Sequence, residues 1–325
     1  MAITHSAQEA RRRFKEAFAD SGGSVSDTAK ILGVSARNAN QMRRNIEHDE
    51  GILLLSTSPR SPDIDIMPVE FPEWDSLEVK NGYIICFGDA HLMPGIKSTA
   101  HRALLKLIPE IQPEALVDLG DLMDFASIGR HHKIGHDARL TVKREIEWAG
   151  DCLEEMVKLG PKRMRRKRTR GNHDQRFSGF FANRVPEMDG IKGIALEDHL
   201  PGWSCSWSIA VNETQAYLTH RWKSGLHGPF NNTLWSGVST VTGHEHRQRV
   251  YPLTDLRGDR WGVDVGTVAS VWWPHFRYGE GKPKNQRSGF VVLRFVNHIL
   301  RHPELVRVID EKNGLCEFRG KDFTV

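Results

Sequence analysis

Four short clusters of metal-binding side chains constrain this chain more than any other feature. The densest runs from Gly171 to Asp174, where an amide oxygen, an imidazole and a carboxylate follow a glycine that lets the backbone turn tightly. The other three are Asp89-Ala90-His91, Gly120-Asp121-Leu122-Met123-Asp124 and Gly243-His244-Glu245-His246. Mixed oxygen and nitrogen donors of this kind suit divalent transition metals. Together the clusters predict a two-metal hydrolytic site.

The clusters containing Asp89 and Asp121 each follow an apolar segment of strand length. These segments are residues 83–87 and 115–119, and a helix is predicted between them at 99–108. Open α/β sheets collect their ligands beyond the carboxyl ends of the strands. Asp89 and Asp121 are therefore expected at that edge of a sheet.

A dense basic run leads into the Gly171 cluster. Its members are Lys162, Arg163, Arg165, Arg166, Lys167, Arg168 and Arg170. A central strand is normally apolar, so a strand here is expected to be short or to lie at a sheet edge. The formal net charge of the whole chain is only +4. The run is thus compatible with a polyanionic partner but does not require one.

The N-terminal residues 1–48 predict short helices separated by turn residues. Ser24 or Ser26 can cap one helix, Gly33 can end it, and Ser35 can cap the next. This pattern resembles the helix-turn-helix modules of repressors and transposases. That resemblance places four side chains where a recognition helix faces base edges: Ser35, Arg37, Asn38 and Gln41. A three-helix module for protein contact or dimerisation is the alternative.

Composition favours a cytoplasmic protein without a membrane span. The chain has 325 residues, of which 39% are hydrophobic, and its four cysteines form no CxxC pair. Neither a disulfide framework nor a zinc knuckle is indicated. The first residues lack an apolar stretch of signal-peptide length. Residues 49–78 are rich in proline and serine and are predicted to be a linker.

The motifs DxH, GDxxD and GNHD, a lone histidine at His220, and GHxH occur in this order. This series resembles the calcineurin-like metallophosphoesterase superfamily over roughly residues 82–318. The resemblance implies an α/β fold, a β-sandwich flanked by helices in α/β/β/α layers, across residues 79–325. With the small all-α helix-turn-helix domain added, the architecture also resembles proteins of phages and mobile elements.

The resemblance further implies a role for each motif residue and two divalent metal ions as cofactors. Asp89, His91 and His246 would hold the first ion. Asn172, His220 and His244 would hold the second, with Asp121 bridging both and a hydroxide between the metals attacking phosphorus. His173 would contact the phosphate and protonate the leaving oxygen, oriented by Asp124. Manganese is the expected metal, with iron, zinc or magnesium as alternatives.

Three side chains near these motifs are predicted to contact substrate: Arg130, His131 and Arg221. Phosphoprotein phosphatases of the superfamily carry arginine where this chain has Phe125, and glutamate where it has Asp174. A protein phosphatase is therefore disfavoured.

The leading hypothesis is a metal-dependent phosphodiesterase or nuclease acting on nucleic acid, with DNA as the expected partner. The basic run beside the catalytic segment and the upstream helix-turn-helix motivate it. A phosphomonoesterase or a small-molecule phosphodiesterase is the second hypothesis, and a non-catalytic DNA-binding protein the third. The sequence is compatible with a homo-oligomer.

Overall fold

Two separate units make up the chain, residues 1–69 and residues 70–325. The computed structural model describes residues 5–52, 54, 74–129, 140–273 and 285–325. Within these ranges no helix combines the length and the apolar character needed to span a bilayer.

Three helices form the N-terminal unit: α1 (His5–Asp20), α2 (Val25–Leu32) and α3 (Ala36–Glu50). Apolar side chains at helical spacing meet in one small core, which contains Phe14, Phe18, Ala29, Ala39 and Ile46. The rings of Phe14 and Phe18 stack with their centroids 5.9 Å apart. Each helix is too short to be stable alone, so this shared core holds the unit together.

Both ends of α2 and the start of α3 are set by the capping residues predicted from the sequence. Ser24 Oγ accepts a hydrogen bond from the N–H of Asp27, and Ser35 Oγ accepts one from the N–H of Asn38. Gly33 ends α2 with a φ of 68°, in the left-handed region that favours glycine. The predicted caps and break are therefore confirmed.

The larger unit contains two sheets. The nine-stranded sheet has the order β15 (Lys321–Thr324), β14 (Leu315–Phe318), β13 (Glu304–Asp310), β11 (Gly289–Val296), β2 (Gly82–Phe87), β3 (Ala115–Asp118), β4 (Arg165–Thr169) and β5 (Ser204–Ser206), with β12 (Ile299–Leu300) paired to β11. The six-stranded sheet has the order β1 (Trp74–Leu77), β6 (Ser208–Val211), β7 (Ala216–Thr219), β8 (Ser239–Thr242), β10 (Gly258–Asp264) and β9 (Arg249–Asp255). Strands β2, β3, β4 and β5 run parallel, as do β7, β8 and β10.

Four helices cover the sheets: α4 (Thr99–Ile111), α5 (Val142–Leu159), α6 (Asp174–Arg184) and α7 (Gly228–Ser236). One core lies between the sheets, where Ile84 and Val117 meet Val241. A second core lies on the other face of the nine-stranded sheet, against α4, α5 and α6. Helix α7 packs on the outer face of the six-stranded sheet, where Thr233 Oγ1 lies 2.7 Å from Thr240 Oγ1. The layers are helix, sheet, sheet and helix, which agrees with the predicted mixed α/β architecture.

The segment predicted to be a linker, 49–78, is structured at both ends. Helix α3 continues to Glu50. At the other end, Trp74–Leu77 forms β1 and pairs in parallel with β6. The prolines that suggested a linker lie at 59–72, outside the described residues. The sheet therefore begins earlier than proline content alone indicated.

The basic run forms β4, which is not an edge strand because it lies between β3 and β5. Three of the seven cations pair with buried or partly buried carboxylates: Lys167, Arg168 and Arg170. Arg168 is only 2% exposed, and its guanidinium lies 3.3 Å from Asp118 and 2.9 Å from Asp174. Arg170 pairs with Glu197 at 2.8 Å. A charged strand is tolerated in this sheet because carboxylates from neighbouring segments meet it.

We expect Arg168→Met to destabilise the protein by about 3–5 kcal/mol, because it leaves two buried carboxylates without their partner. Urea unfolding at neutral pH measures the loss. Arg163→Met is the matched control, since the Arg163 side chain is 80% exposed and pairs with Glu114 at the surface. Equal stability of the two variants would contradict a structural role for the buried pair.

Candidate metal centre

Every predicted metal-binding motif follows the carboxyl end of a strand. Asp89 comes after β2, Asp121 after β3 and Asn172 after β4 in the nine-stranded sheet. His220 and His244 come after β7 and β8 in the six-stranded sheet. The two sheets thus bring their carboxyl ends together, as expected for ligand sites of open α/β sheets.

One cluster contains Asp89, His91 and His246, whose ligand atoms all lie within 4.8 Å of one another. His246 Nε2 is 2.9 Å from Asp89 Oδ1. The second carboxylate oxygen, Asp89 Oδ2, accepts a hydrogen bond from the N–H of His244 at 2.8 Å. The carboxylate therefore joins the two ends of the GHxH motif.

A second cluster contains Asp121, His220 and His244, again with ligand atoms within 4.8 Å of one another. His220 Nε2 lies 3.0 Å from Asn172 Oδ1 and 3.3 Å from Asp121 Oδ2. His220 Nδ1 donates to the carbonyl oxygen of Leu119 at 2.7 Å. That bond fixes the ring so that Nε2 faces the two oxygen donors, an arrangement typical of ligating histidines.

His173 lies beside both clusters, in a third group with Asp124 and His91. Its Nδ1 is 2.7 Å from Asp124 Oδ1, and its Nε2 is 3.9 Å from Asp121 Oδ2. The backbone N–H of His173 donates to Asp121 Oδ1 at 2.7 Å. The predicted acid and its predicted orienting carboxylate are therefore in contact, next to the predicted bridging carboxylate.

The loops that carry these side chains hold a strained backbone. Five non-glycine residues of the two main clusters have positive φ: Asp89 (50°), His91 (38°), Asp121 (54°), His244 (73°) and His246 (58°). Each such conformation costs roughly 1–3 kcal/mol and persists only where surrounding contacts determine it. Here Thr267 Oγ1 donates to the carbonyl of Asp89, and the N–H of His91 donates to the carbonyl of Asp121.

Two motif glycines are required because neighbouring loops approach their backbones closely. A Cβ on Gly171 would lie 2.1 Å from the backbone nitrogen of Asp121, and one on Gly243 would lie 2.5 Å from Asp89 Oδ2. Both distances are shorter than any real carbon contact. The loops after β3 and β4, and those after β2 and β8, can therefore meet only because these positions lack a side chain.

Burial and charge act in opposite directions on the ionisable groups here. Burial would raise the pKa of Asp121, but His220, His173 and His91 hold that pKa well below its usual value. Burial lowers the pKa of His220, but the carboxylates of Asp121 and Asp89 outweigh it and raise the pKa to about 9. Both ring nitrogens of His220 also face oxygen acceptors. The metal-free site therefore favours carboxylates and a charged His220.

The donor sets fit two divalent metal ions. Each main cluster offers two imidazole nitrogens and a carboxylate, and Asn172 adds an amide oxygen to the second. These are donors accepted by manganese, iron and zinc. The assignment of each residue to one ion stays a prediction.

The remaining predicted site residues lie apart from these clusters or outside the described residues. Arg221 is exposed next to His220, and no hydrogen bond or ion pair joins it to another described residue. Arg130 and His131 lie outside the described residues. In the N-terminal unit, the predicted base-contacting residues are exposed at the start of α3: Ser35, Arg37, Asn38 and Gln41. Ser35 acts as the helix cap.

Sequence reasoning missed Arg176. Its Nη2 donates to His173 Nε2 at 3.0 Å, and its Nη1 donates to the carbonyl of Asp124 at 2.7 Å. The signal was present, because Arg176 stands three residues after His173 at the start of α6, on the same helical face. Arg176 thus holds the predicted acid and its carboxylate in place.

The role of Asp174, which the motif left open, is structural. Its Oδ2 accepts hydrogen bonds from the N–H groups of Asp121 and Gly171, both at 3.1 Å, and from Arg168 at 2.9 Å. One buried oxygen therefore ties the loop after β3 to the loop after β4. The contact of Arg168 with Asp118 could not be assigned from the sequence, since the two residues are fifty positions apart along the chain.

The sequence is similar to two phage proteins. It is 25% identical over 239 residues to the Gene 54 protein of Mycobacterium phage L5, which covers 64% of this chain and 87% of that protein. It is 26% identical over 235 residues to the Gene 54 protein of Mycobacterium phage D29, with the same shares. No protein-family model matches the chain.

Solved structures share features with this chain at low similarity. A Vps29 mutant from Entamoeba histolytica has a TM-score of 0.40 at 12% identity, covering 74% of this chain and 99% of that chain. The nuclease MPE of Pseudomonas putida has a TM-score of 0.31 at 14% identity, covering 65% and 84%. A dimetal phosphatase from Danio rerio has a TM-score of 0.36 at 10% identity, covering 75% and 98%. At these values the likenesses establish neither the fold nor the function.

We expect metal binding to release protons near neutral pH, because His220 must lose its proton to act as a ligand. With a pKa of about 9, the ring is charged in the metal-free protein at pH 7. Its raised pKa stabilises the metal-free fold fully below the unfolded value of about 6.5, and this contribution is lost as pH rises through about 9.

Calorimetric titration of the metal-free protein with manganese, in buffers of different ionisation enthalpy, measures this release. A His220→Asn variant should release fewer protons than the wild type, whereas His48→Asn, at an exposed position in the N-terminal unit, should match it. A binding enthalpy that is independent of the buffer would contradict the expectation.

Proposed function

We propose that this protein is a dinuclear-metal-dependent phosphoesterase, and that it acts as a phosphodiesterase or nuclease on nucleic acid. The observation that carries the proposal is the meeting of two histidine–carboxylate clusters beside the pair formed by His173 and Asp124. Phosphoester hydrolysis needs an activated oxygen nucleophile and neutralisation of charge on the phosphoryl oxygens. Two divalent ions, when bound, supply both.

The protein's own residues would hold the ions and manage the leaving group. Asp89, His91 and His246 would bind one ion, and Asn172, His220 and His244 the other, with Asp121 between them. These side chains are preorganised by the strained loops, so little rearrangement is needed on binding.

His173 would donate a proton to the leaving oxygen from Nε2, the ring nitrogen on the side of Asp121. Asp124, in contact with Nδ1, stabilises the charged imidazole that this step requires. Arg176 donates a hydrogen bond to this same Nε2 atom. Its guanidinium would therefore turn away from His173 and toward the phosphate when substrate binds. A guanidinium that leaves the histidine can then pair with a phosphoryl oxygen.

Support for nucleic acid comes from the N-terminal unit, not from the basic run. Helix α3 follows a tight turn and exposes Arg37, Asn38 and Gln41 near its start, where a recognition helix meets base edges. In the basic run, Lys167, Arg168 and Arg170 instead pair with carboxylates of the fold. The DNA-binding role of the unit is part of this proposal, as is a cytoplasmic location.

A phosphomonoesterase or a small-molecule phosphodiesterase is the second candidate. The pairing of Lys167, Arg168 and Arg170 with carboxylates favours it, because these three cations, which lead into the Gly171 cluster, then offer little positive charge to a long polyanion. A non-catalytic DNA-binding protein is less well supported, since every predicted ligand side chain reaches the clusters.

We expect His173→Ala to lower kcat on a single-stranded oligonucleotide about 10²–10⁴-fold, because the leaving sugar oxygen needs a proton. The loss on bis-p-nitrophenyl phosphate should be smaller, since p-nitrophenolate leaves without one. Steady-state rates with manganese measure both, and metal analysis checks that the variant still binds its ions. His48→Ala serves as control. Wild-type rates on the oligonucleotide would remove His173 from the mechanism.

We expect the double variant Arg37→Ala/Asn38→Ala to weaken DNA binding about tenfold or more, because each base or phosphate contact contributes roughly 1–3 kcal/mol. Hydrolysis of bis-p-nitrophenyl phosphate should not change. Fluorescence anisotropy with duplex DNA, at two salt concentrations, measures the affinity. Arg12→Ala is the control, because Arg12 is exposed on α1 and pairs with Glu9 and Glu16. If both variants bind DNA like the wild type, α3 is not a recognition helix.

A further inference from the structure

A groove of about 850 Å³ runs along α6 and opens beside the metal centre. Asn172, which contacts His220 in the second cluster, lies at one end. On the helix side it is lined by Asn172, just before α6, and by Gln175, Arg176, Gly179, Phe180, Asn183 and Arg184 of the helix. The volume is within the range of clefts that hold ligands, roughly 300–1,000 Å³. We refer to this feature as the α6 groove.

The lining residues form one face of the helix. Their spacing of three and four residues places them in a stripe from the first turn to the last. The opposite face is fixed to the core, where the ring of Phe177 lies 5.6 Å from that of Phe125 and 5.1 Å from that of Phe181. The stripe is therefore held rigidly, and its first turn carries Arg176, which contacts His173.

Three positions in the stripe are unusual for a solvated helix face. Phe180 exposes 39% of its surface. Arg184 is exposed, and no ion pair joins it to another described residue. At Gly179 an added Cβ would meet nothing within 4 Å, so the missing side chain leaves the middle of the groove open. Glycine in a helix interior costs about 1 kcal/mol relative to alanine, so the open position at Gly179 lowers the stability of the helix.

On the facing wall, Ser127 lines the same groove. Its Oγ is buried and has no hydrogen-bond partner among the described residues. Ser127 follows Asp124 by three residues, so this wall is also continuous with the catalytic pair. The α6 groove thus combines an exposed aromatic ring, a guanidinium that no described residue pairs with, and polar groups, and it leads to the predicted acid.

We propose that the α6 groove binds one strand of single-stranded nucleic acid next to the bond that is cleaved. Phe180 stacks on an unpaired base, Arg184 pairs with a backbone phosphate, and the open position at Gly179 admits the strand. This inference rests on the proposed phosphoesterase function and specifies its substrate. Stacking on aromatic rings with arginine contacts to phosphates is the usual chemistry of single-strand binding.

A single strand fits these groups better than a duplex or a peptide does. In a duplex the base faces are covered by their neighbours, so Phe180 would have no partner, whereas unpaired bases offer their faces. A carboxylate of an acidic peptide could pair with Arg184, but such a peptide offers no flat ring to stack on Phe180. A nucleic-acid strand offers a phosphate and a flat base at every step.

The test compares kcat/KM on a short single-stranded DNA with that on bis-p-nitrophenyl phosphate, which is too small to reach along the groove. We expect Phe180→Ala to lower the ratio of the two values about tenfold, from the loss of one stacked base. Phe180→Leu should show most of this effect, because it keeps apolar volume but removes the ring. Arg184→Ala should also lower the ratio. In addition, it should reduce the slope of log binding affinity against log salt concentration by about one, because one phosphate contact is lost.

Two further variants test the open floor directly. Gly179→Leu should obstruct the groove and lower the ratio of the two kcat/KM values about tenfold or more, which is the effect expected from the loss of one stacked base. Gly179→Ala adds a methyl group that meets nothing and should keep the wild-type ratio. Arg163→Ala, exposed on the basic run outside the groove, is the control for net charge. Circular dichroism melting checks that each variant is folded.

Unchanged ratios for Phe180→Ala, Arg184→Ala and Gly179→Leu would overturn the inference and leave the phosphoesterase function intact. A parallel loss on both substrates would also overturn it, since the helix would then act only through the metal centre. Absence of any hydrolysis by the wild type would instead refute the proposed function. Anisotropy of single-stranded DNA binding would still decide the role of the groove in that case, with weaker binding by Phe180→Ala supporting it.

Discussion

A single buried carboxylate oxygen, Asp174 Oδ2, holds the candidate site together. It accepts hydrogen bonds from the loop after β3, from the loop after β4 and from the guanidinium of Arg168. Arg168 in turn contacts Asp118 at the end of β3. A carboxylate buried this deeply needs such partners to be stable, so they fix the relative positions of two strand ends. Asp121, Asn172 and His173 all project from these two loops.

The same region has a strained backbone at the residues predicted to bind metal. Five ligand candidates adopt left-handed backbone conformations, and the two glycines at 171 and 243 let the loops approach within carbon-contact distance. The carboxylates of Asp121 and Asp89 raise the pKa of His220 and so favour its charged form. A divalent ion would replace that proton at a site whose other donors are already in place, which is the advantage of a preorganised site.

The basic run illustrates how composition misleads when tertiary contacts are unknown. Seven cations within nine residues suggested either an edge strand or a surface for polyanions. In the fold, β4 is an internal strand, and three cations of the run meet carboxylates from other segments: Arg168 contacts Asp118 and Asp174, Lys167 contacts Asp75, and Arg170 contacts Glu197. None of these partners is recognisable from local sequence. Arg176 on α6, outside this run, is the arginine that contacts the predicted acid His173.

The sequence by itself determined the strands that end at metal-binding motifs, the caps of the N-terminal helices and the identity of the clustered side chains. These follow from short-range rules: strand periodicity, hydrogen bonding of serine to helix N-termini, and the conformational freedom of glycine at Gly33. Only the tertiary structure decided that Arg176 holds His173, and that Phe180, Gly179 and Arg184 line one groove. Such contacts depend on how sheets and helices pack, because burial and pairing join residues that are far apart in the chain.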